Sequence, residues 1–272
     1  MKLFFSELPA NYSKYHFPYQ IWLLKEEGDE VEKIYSNGFL PIRSLQSVYY
    51  LSRNIRVDLN KFEISSENRR ILKKTENFES DLIPLSEFTY TAEIQKFCKN
   101  YTEQKLGRGL FPAAAIKSIF TNKVFNYVFV FKEINMQKEV GYAVCYIYGD
   151  LLQYAYAFYD LEYFKDNLGV RMILEAVFWA NKSNKKYAYL GTCYEGSALY
   201  KTEFKGVEFF NGFRWSEDLE ELKELVEGFE VRQLADGRFE GEYLLKNKEF
   251  LERFYKGDLM MVLSKYGIRV NL

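Results

Sequence analysis

The residue types best suited to chemistry crowd into one stretch, Tyr187 to Trp215, where Cys193, Tyr194, Tyr200 and Lys201 follow one another closely. The chain has a single histidine, His16, so a Ser–His or Cys–His nucleophilic pair would require His16 to reach an active site from the N-terminal arm. Cys98, Cys145 and Cys193 are scattered and lack metal-ligand spacing, and no metal site is expected. Without a neighbouring histidine, Cys193 reads as a packing residue rather than a nucleophile. The groups left to act are tyrosine hydroxyls, lysine and arginine. Most of the 23 tyrosines must serve packing, contributing area and a polar tip.

The elements that must position these groups can be read from periodicity. Tyr187 to Leu190 predicts a short buried strand, followed by a turn, a short helix presenting Tyr200 and Lys201, a second strand, and a turn at Asn211-Gly212. Upstream, three aromatic-rich apolar runs, Val124–Phe131, Val140–Tyr148 and Leu151–Tyr159, are joined by short connections and predict an antiparallel meander. A helix over Leu168–Asn181 follows, with Val170, Ile173, Leu174, Val177 and Phe178 on its apolar face. Before the meander the pattern predicts a helix from Ser86 through Tyr101 and another over Ala113–Phe120, with Asp81–Leu85 as a linker. Helix, helix, three antiparallel strands, helix, strand, helix, strand is the element order of the GCN5-related N-acetyltransferase (GNAT) fold. The expected class is therefore α+β: a GNAT-like mixed sheet flanked by helices, with a smaller N-terminal α+β region.

That N-terminal region has strand candidates at Ile21–Leu24 and Val48–Leu51 and a turn at Glu27-Gly28-Asp29. A helix over 66–75, capped by Ser65 or Ser66, would set Arg69, Arg70, Lys73 and Lys74 on one arc, opposite Ile71 and Leu72. Two acidic amphipathic helices are expected beyond the sheet, over Asp218–Glu227 and Lys246–Tyr255. The reading divides the chain at 1–80, 81–215 and 216–272.

Composition narrows the classes. At 272 residues there is length for one large domain or two modest ones. Aromatic residues make up 18%, which suits strand-rich sheets and aromatic-lined clefts. A net charge of −1 argues against a general nucleic-acid coating protein, because phosphate binding needs clustered Lys and Arg. No apolar run approaches the roughly 20 residues that cross a bilayer. No membrane and no DNA partner is expected, and sparse cysteines suit a reducing, cytoplasmic setting.

Tyr189, Leu190, Gly191, Tyr200, Lys201, Phe204, Glu208, Gly212 and Trp215 stand in the order of a C-terminal motif, and the whole resembles the aminoacyl-tRNA–protein transferases, the arginyl and leucyl transferases of the N-degron pathway. Upstream, Phe158-Tyr159-Asp160, Leu168-Gly169 with Trp179-Ala180, Arg56-Val57-Asp58 and Ser65 to Lys74 are similar to further family segments. The family's N-terminal cysteine cluster has no counterpart around Asn11 or between Pro41 and Ile55.

The resemblance implies transfer of arginine or leucine, with arginine placed ahead, from aminoacyl-tRNA to the α-amine of proteins that begin with Asp or Glu. Aminoacyl-tRNA is then a co-substrate, no cofactor is expected, and the partners are the tRNA acceptor end and the acceptor N-terminus. The ester is already activated, so the protein must supply alignment, an oxyanion site and a proton for the departing ribose hydroxyl. Tyr194 and Tyr200 are the proton-donor candidates, with Tyr159 behind them, and Lys201 completes the catalytic set. Arg69 and Arg70 are assigned to substrate binding near the acceptor end, and either these or Lys201 would hold an acidic acceptor side chain. Asp160 would hold an ammonium group. Gly169, Tyr189, Gly191 and Glu208 complete the binding set. An acyl-CoA N-acyltransferase is the alternative enzyme, although Asp166 to Arg171 offers one glycine and an acidic residue where a pyrophosphate cradle would lie. A non-catalytic binding module descended from the transferases is the other alternative.

Overall fold

The computed structural model describes residues 2–6, 20–109 and 111–227. The chain first builds a four-stranded antiparallel sheet of β1 (Lys2–Ser6), β2 (Gln20–Leu24), β3 (Phe39–Ile42) and β4 (Leu45–Leu51), in the order β1-β2-β4-β3. Helix α1 (Val31–Ser36) lies between β2 and β3 in sequence and buries Val31, Ile34 and Tyr35. The expected turn before it is present: Glu26 N donates to Asp29 Oδ2 at 2.8 Å, and Gly28 takes a φ of +84°.

Strand β5 (Asn54–Asp58) then leaves this sheet and enters a larger one. The chain continues through α2 (Ser66–Lys74), β6 (Phe78–Pro84), α3 (Ala92–Lys105), α4 (Ala113–Thr121), β7 (Tyr127–Glu133), β8 (Lys138–Tyr148), β9 (Leu151–Tyr159), α5 (Leu168–Lys182), β10 (Tyr187–Thr192), β11 (Val207–Phe210), β12 (Trp215–Ser216) and α6 (Leu219–Glu227). The eight-stranded sheet runs β12-β11-β5-β10-β9-β8-β7-β6, and β10 lies parallel to β9 while the other pairings are antiparallel. The expected meander is β7-β8-β9, and the α+β arrangement of a mixed sheet flanked by helices is the one observed.

Both faces of this sheet are covered, which is why β7 reads as a continuous apolar run rather than an alternation. Phe129 and Phe131 pack with α5 through Met172, Ile173 and Val177, whereas Val128 and Val130 pack with α3 and α4 through Ile94, Cys98, Ile116 and Ile119. The small sheet and α1 share a third cluster with Leu151 and Tyr189 of the large sheet. Tyr35 ties the two together by donating to Gln153 Oε1 at 2.5 Å in a buried hydrogen bond.

Two expectations need correction. The segment 81–85 is no linker: residues up to Pro84 form edge strand β6, paired along its length with β7. Its proline stands at the strand end, on an edge, where a missing N–H is tolerated. The helix expected from Ser86 begins only at Ala92, where Thr91 Oγ1 accepts from Ile94 N and caps it. The division at 80 cuts through β6, and β5 from the first region sits between β10 and β11 of the second. At the C-terminal end, α6 matches the first expected acidic helix and sets Leu222 and Leu225 into the main core. The second expected helix, 246–255, and His16 lie outside the described residues.

Candidate active site

The site begins where two neighbouring strands part. Parallel pairing of β9 with β10 covers Leu151↔Tyr187, Leu152↔Ala188 and Gln153↔Tyr189. Beyond it each strand carries one extra residue against its other neighbour. Ala155 is unmatched in β9, since Cys145 faces Tyr154 and Val144 faces Tyr156; Leu190 is unmatched in β10, since Arg56 faces Tyr189 and Ile55 faces Gly191. Such bulges bend and twist a strand locally. Beyond these bends Tyr154–Tyr159 and Gly191–Cys193 no longer pair with each other, and the parting between them is the candidate cleft.

Lys201 projects to the β10 side of this cleft. It comes from a 3₁₀ turn, Gly196–Thr202, rather than a full α-helix, and its Nζ donates to Thr192 O at 2.9 Å. Gly191 makes room for it: φ is +82°, and a Cβ there would stand 3.7 Å from Nζ. Among the described residues no carboxylate pairs with Lys201. Burial favours the neutral amine and lowers its pKa to about 8, opposed by the Cys193 thiol beside it. Cys193 is buried, and burial pushes its thiol up while Lys201 and Arg53 pull it down. This agrees with a packing residue.

Four tyrosines gather at the β9 side. Tyr101 of α3 and Tyr159 of β9 have ring centroids 5.0 Å apart and share a hydrogen bond. The Tyr159 ring and hydroxyl cover Gly169, where a Cβ would meet both at 3.0 Å. Tyr200 is the exposed member at 39%, and burial of its hydroxyl, reinforced by Tyr159 and Cys193, lifts it to about 12. Tyr154 is 6% exposed, and its hydroxyl is buried without a hydrogen-bond partner. Burial raises its pKa well above the usual value, with Tyr200 the next contributor, so the group stays a phenol. An unmade hydrogen bond of this kind costs about 1–3 kcal/mol.

Tyr194 lies at the rear of the same loop. Its hydroxyl accepts from Arg53 N at 2.9 Å, and the Arg53 guanidinium lies 5.2 Å from its ring centre. It fixes the loop to the start of β5, while Tyr200 is the tyrosine that faces outward.

The remaining sequence candidates sit elsewhere. Tyr189 is buried in the third cluster, with its ring against Tyr35, Tyr187 and Trp215. Glu208 accepts from Arg56 Nε and Nη2 at 2.7 Å, and Arg56 is clamped between Tyr187 and Trp215 at 3.9 and 3.8 Å from their centroids. That pair joins β5 to β11 and leaves Glu208 occupied. Asp160 caps the turn after β9 by accepting from Glu162 N, and it pairs with Lys138 at 2.8 Å. On α2, Ser65 and Asn68 form a capping box; Arg69 donates to Ile64 O and Arg70 grips Glu67 with two hydrogen bonds. Both arginines are exposed, and neither contact reaches the tyrosine cluster.

A separate groove of about 530 Å3 lies between β6–β8 and the start of α3, with Phe88, Phe97 and Tyr142 as its floor and Glu87, Glu93 and Glu139 around it. Its charge is of the wrong sign for a phosphate backbone, and it lies apart from Lys201 and the strand parting. Sequence reasoning missed Tyr101, Tyr154 and Arg53. Nothing local marks them, since their meeting depends on the bend at Ala155 and on where β5 enters the sheet.

Residues 88–211 match a family described as the arginine-tRNA-protein transferase C terminus. An aspartate/glutamate leucyltransferase of Ruegeria pomeroyi is 36% identical over 78 residues, covering 28% of this chain and 29% of that protein. One of Xanthomonas euvesicatoria pv. vesicatoria is 33% identical over 75 residues, covering 27% and 30%. The matched stretches thus span less than a third of these relatives' length. Among solved structures, the C-terminal domain of a putative lysylphosphatidylglycerol synthetase from Agrobacterium fabrum is 13% identical with a TM-score of 0.39, over 52% of this chain and 46% of that one. A GCN5-related N-acetyltransferase from Sphaerobacter thermophilus is 10% identical with a TM-score of 0.34, over 70% and 57%.

Proposed function

We propose, proceeding from the match of residues 88–211 to the arginine-tRNA-protein transferase C terminus, that this chain transfers an amino acid from aminoacyl-tRNA to the N-terminal α-amine of acceptor proteins. The observation that carries the reading is Lys201. It is an amine without a carboxylate partner among the described residues, set at the parting of β9 and β10 with its pKa lowered to about 8. An amine of this kind takes a proton near neutral pH. The acceptor nitrogen attacks the ester carbonyl and gives up a proton to Lys201. The C–O bond to the ribose then breaks, and the ribose oxygen takes a proton from the Tyr200 hydroxyl, which Lys201 and solvent restore. Alignment and proton handling are sufficient because the ester needs no further activation.

Leucine is the donor amino acid we favour, reversing the order expected from sequence. The relatives named above are leucyltransferases, and among the described residues the groups acting electrostatically on the hydroxyls of Tyr101, Tyr154 and Tyr200 are other tyrosines and the thiols of Cys145 and Cys193, with no carboxylate to receive a guanidinium. Lys201 and Arg53, which both act on the Cys193 thiol, are the cations that would suit an acceptor beginning with Asp or Glu. Arg69 and Arg70 would take phosphates of the acceptor stem, and the reaction belongs in the cytoplasm, where charged tRNA is available. Among the described residues no helix is long and apolar enough to cross a membrane. The acyl-CoA alternative is disfavoured by Tyr159, which fills the space over Gly169 that a pyrophosphate would need.

The test offers radiolabelled Leu-tRNA and Arg-tRNA to peptides beginning with Asp, Glu or Ala, with acetyl-CoA as a competing donor. Label from Leu-tRNA on acidic-start peptides is the expected result. Acetylation without aminoacyl transfer would establish the acyl-CoA reading, and no transfer from any donor would leave a binding module.

A further inference from the structure

The transfer reaction passes through a tetrahedral centre whose oxygen carries the charge, and none of the roles given above answers that charge. The cleft contains one hydroxyl with nothing to bond. Tyr154 stands one residue beyond the last β9–β10 pair and next to the bulged Ala155, where the strands begin to part. Its ring is packed in the core shared with α5, and its hydroxyl is buried without a partner. Beside the tyrosines, Lys201 and Arg53 act on the Cys193 thiol, which in turn acts on Tyr200, and α5, with Gly169 in its first turn, begins beside Tyr159, so that the positive end of the helix favours an oxygen over a nitrogen ligand.

We propose that the Tyr154 hydroxyl is a catalytic hydrogen-bond donor to the carbonyl oxygen of the aminoacyl ester, an assignment that rests on the transfer reading. As the acceptor nitrogen bonds to the carbonyl carbon, the C=O electron pair moves to oxygen and the Tyr154 O–H bonds to it. Collapse restores the C=O and expels the ribose oxygen, which leaves with a proton. Tyr154 keeps its own proton throughout, as its environment requires. The hydroxyl has no solvent contact, and its exposed neighbour Tyr200 is the residue that would have to move aside for the ester to enter. A preorganised donor in a water-poor site acts most strongly on charge that appears only in the transition state.

The test compares Tyr154→Phe with Tyr90→Phe in single-turnover transfer from Leu-tRNA to an Asp-start peptide. Tyr90 is the control because its hydroxyl is also buried and unpartnered, yet it packs on Phe120 in the cluster on the opposite face. Tyr154→Phe is expected to lower kcat by about a hundredfold with little change in KM, and without lowering Tm, since no hydrogen bond within the protein is lost. Tyr90→Phe is expected to leave both constants unchanged. An active wild type with Tyr154→Phe within twofold of it would overturn the role of Tyr154 alone. A loss confined to KM, or one that tracks a lowered Tm, would also overturn it. A wild type that transfers nothing would remove the transfer reading, and this assignment with it.

Discussion

At the scale of single residues, the site depends on a lysine held where a charge is disfavoured. Lys201→Ala is expected to lower transfer by about a hundredfold or more, and Lys201→Arg to restore little, because a guanidinium stays charged; initial rates with Leu-tRNA measure both. The rate should rise through pH of about 8 as Lys201 loses its proton. Stability should move in the same direction. The lowered pKa means that the unfolded chain binds more protons than the folded one between about 8 and the ordinary 10.5, so this residue's contribution improves as pH rises through that window. Urea melts of Lys201→Met and wild type check this: the variant is more stable at pH 7.5, and the gap narrows towards pH 10. Glu208 makes the opposite case, a titratable group whose contacts are structural. Glu208→Ala leaves Arg56 buried between two rings without its counter-ion, and a loss of about 3–5 kcal/mol is expected in the same melts.

At the scale of elements, the sequence was most legible where one signal acts alone. The meander and α5 follow from apolar runs and a 3.6-residue period, and their observed bounds differ from expectation by a few residues. Strand β6 escaped because Asp81 and Pro84 are turn-like residues, although its pairing with β7 overrides them. The motif Tyr189, Gly191, Tyr200, Lys201 marked β10 and the turn after it, but it could not sort which of its residues pack. Tyr189 and Gly191 lie two positions apart in β10, yet the bulge at Leu190 turns one into a buried packing face and the other towards Lys201. Helix α2 carries its own prediction. The Arg70–Glu67 fork is an exposed pair, which contributes little to stability and is readily exchanged for a phosphate. The double variant Arg69→Ala, Arg70→Ala should raise KM for charged tRNA and flatten its salt dependence, with kcat unchanged; filter binding across a salt series reads this directly.

At the scale of the whole molecule, the two sheets cannot be treated as separable. Strand β5 belongs by sequence to the N-terminal region and by pairing to the centre of the large sheet, where it hydrogen-bonds to β10 and β11. A fragment of residues 81–227 would lack that strand, and β10 would offer an open edge to solvent. It is expected to show no cooperative urea transition and to aggregate, whereas residues 1–227 unfold in one step; circular dichroism separates the outcomes. The same placement has a consequence in time. During synthesis β5 emerges roughly 130 residues ahead of β10, a wait on the order of ten seconds at ordinary elongation rates. Through that interval its Ile55 and Val57 side chains and both its backbone edges have no permanent partner. The strand that joins β10 to β11 in the finished protein is thus one that a nascent chain must shelter long, and the yield of folded protein should depend on chaperone capacity and translation speed more than on final stability.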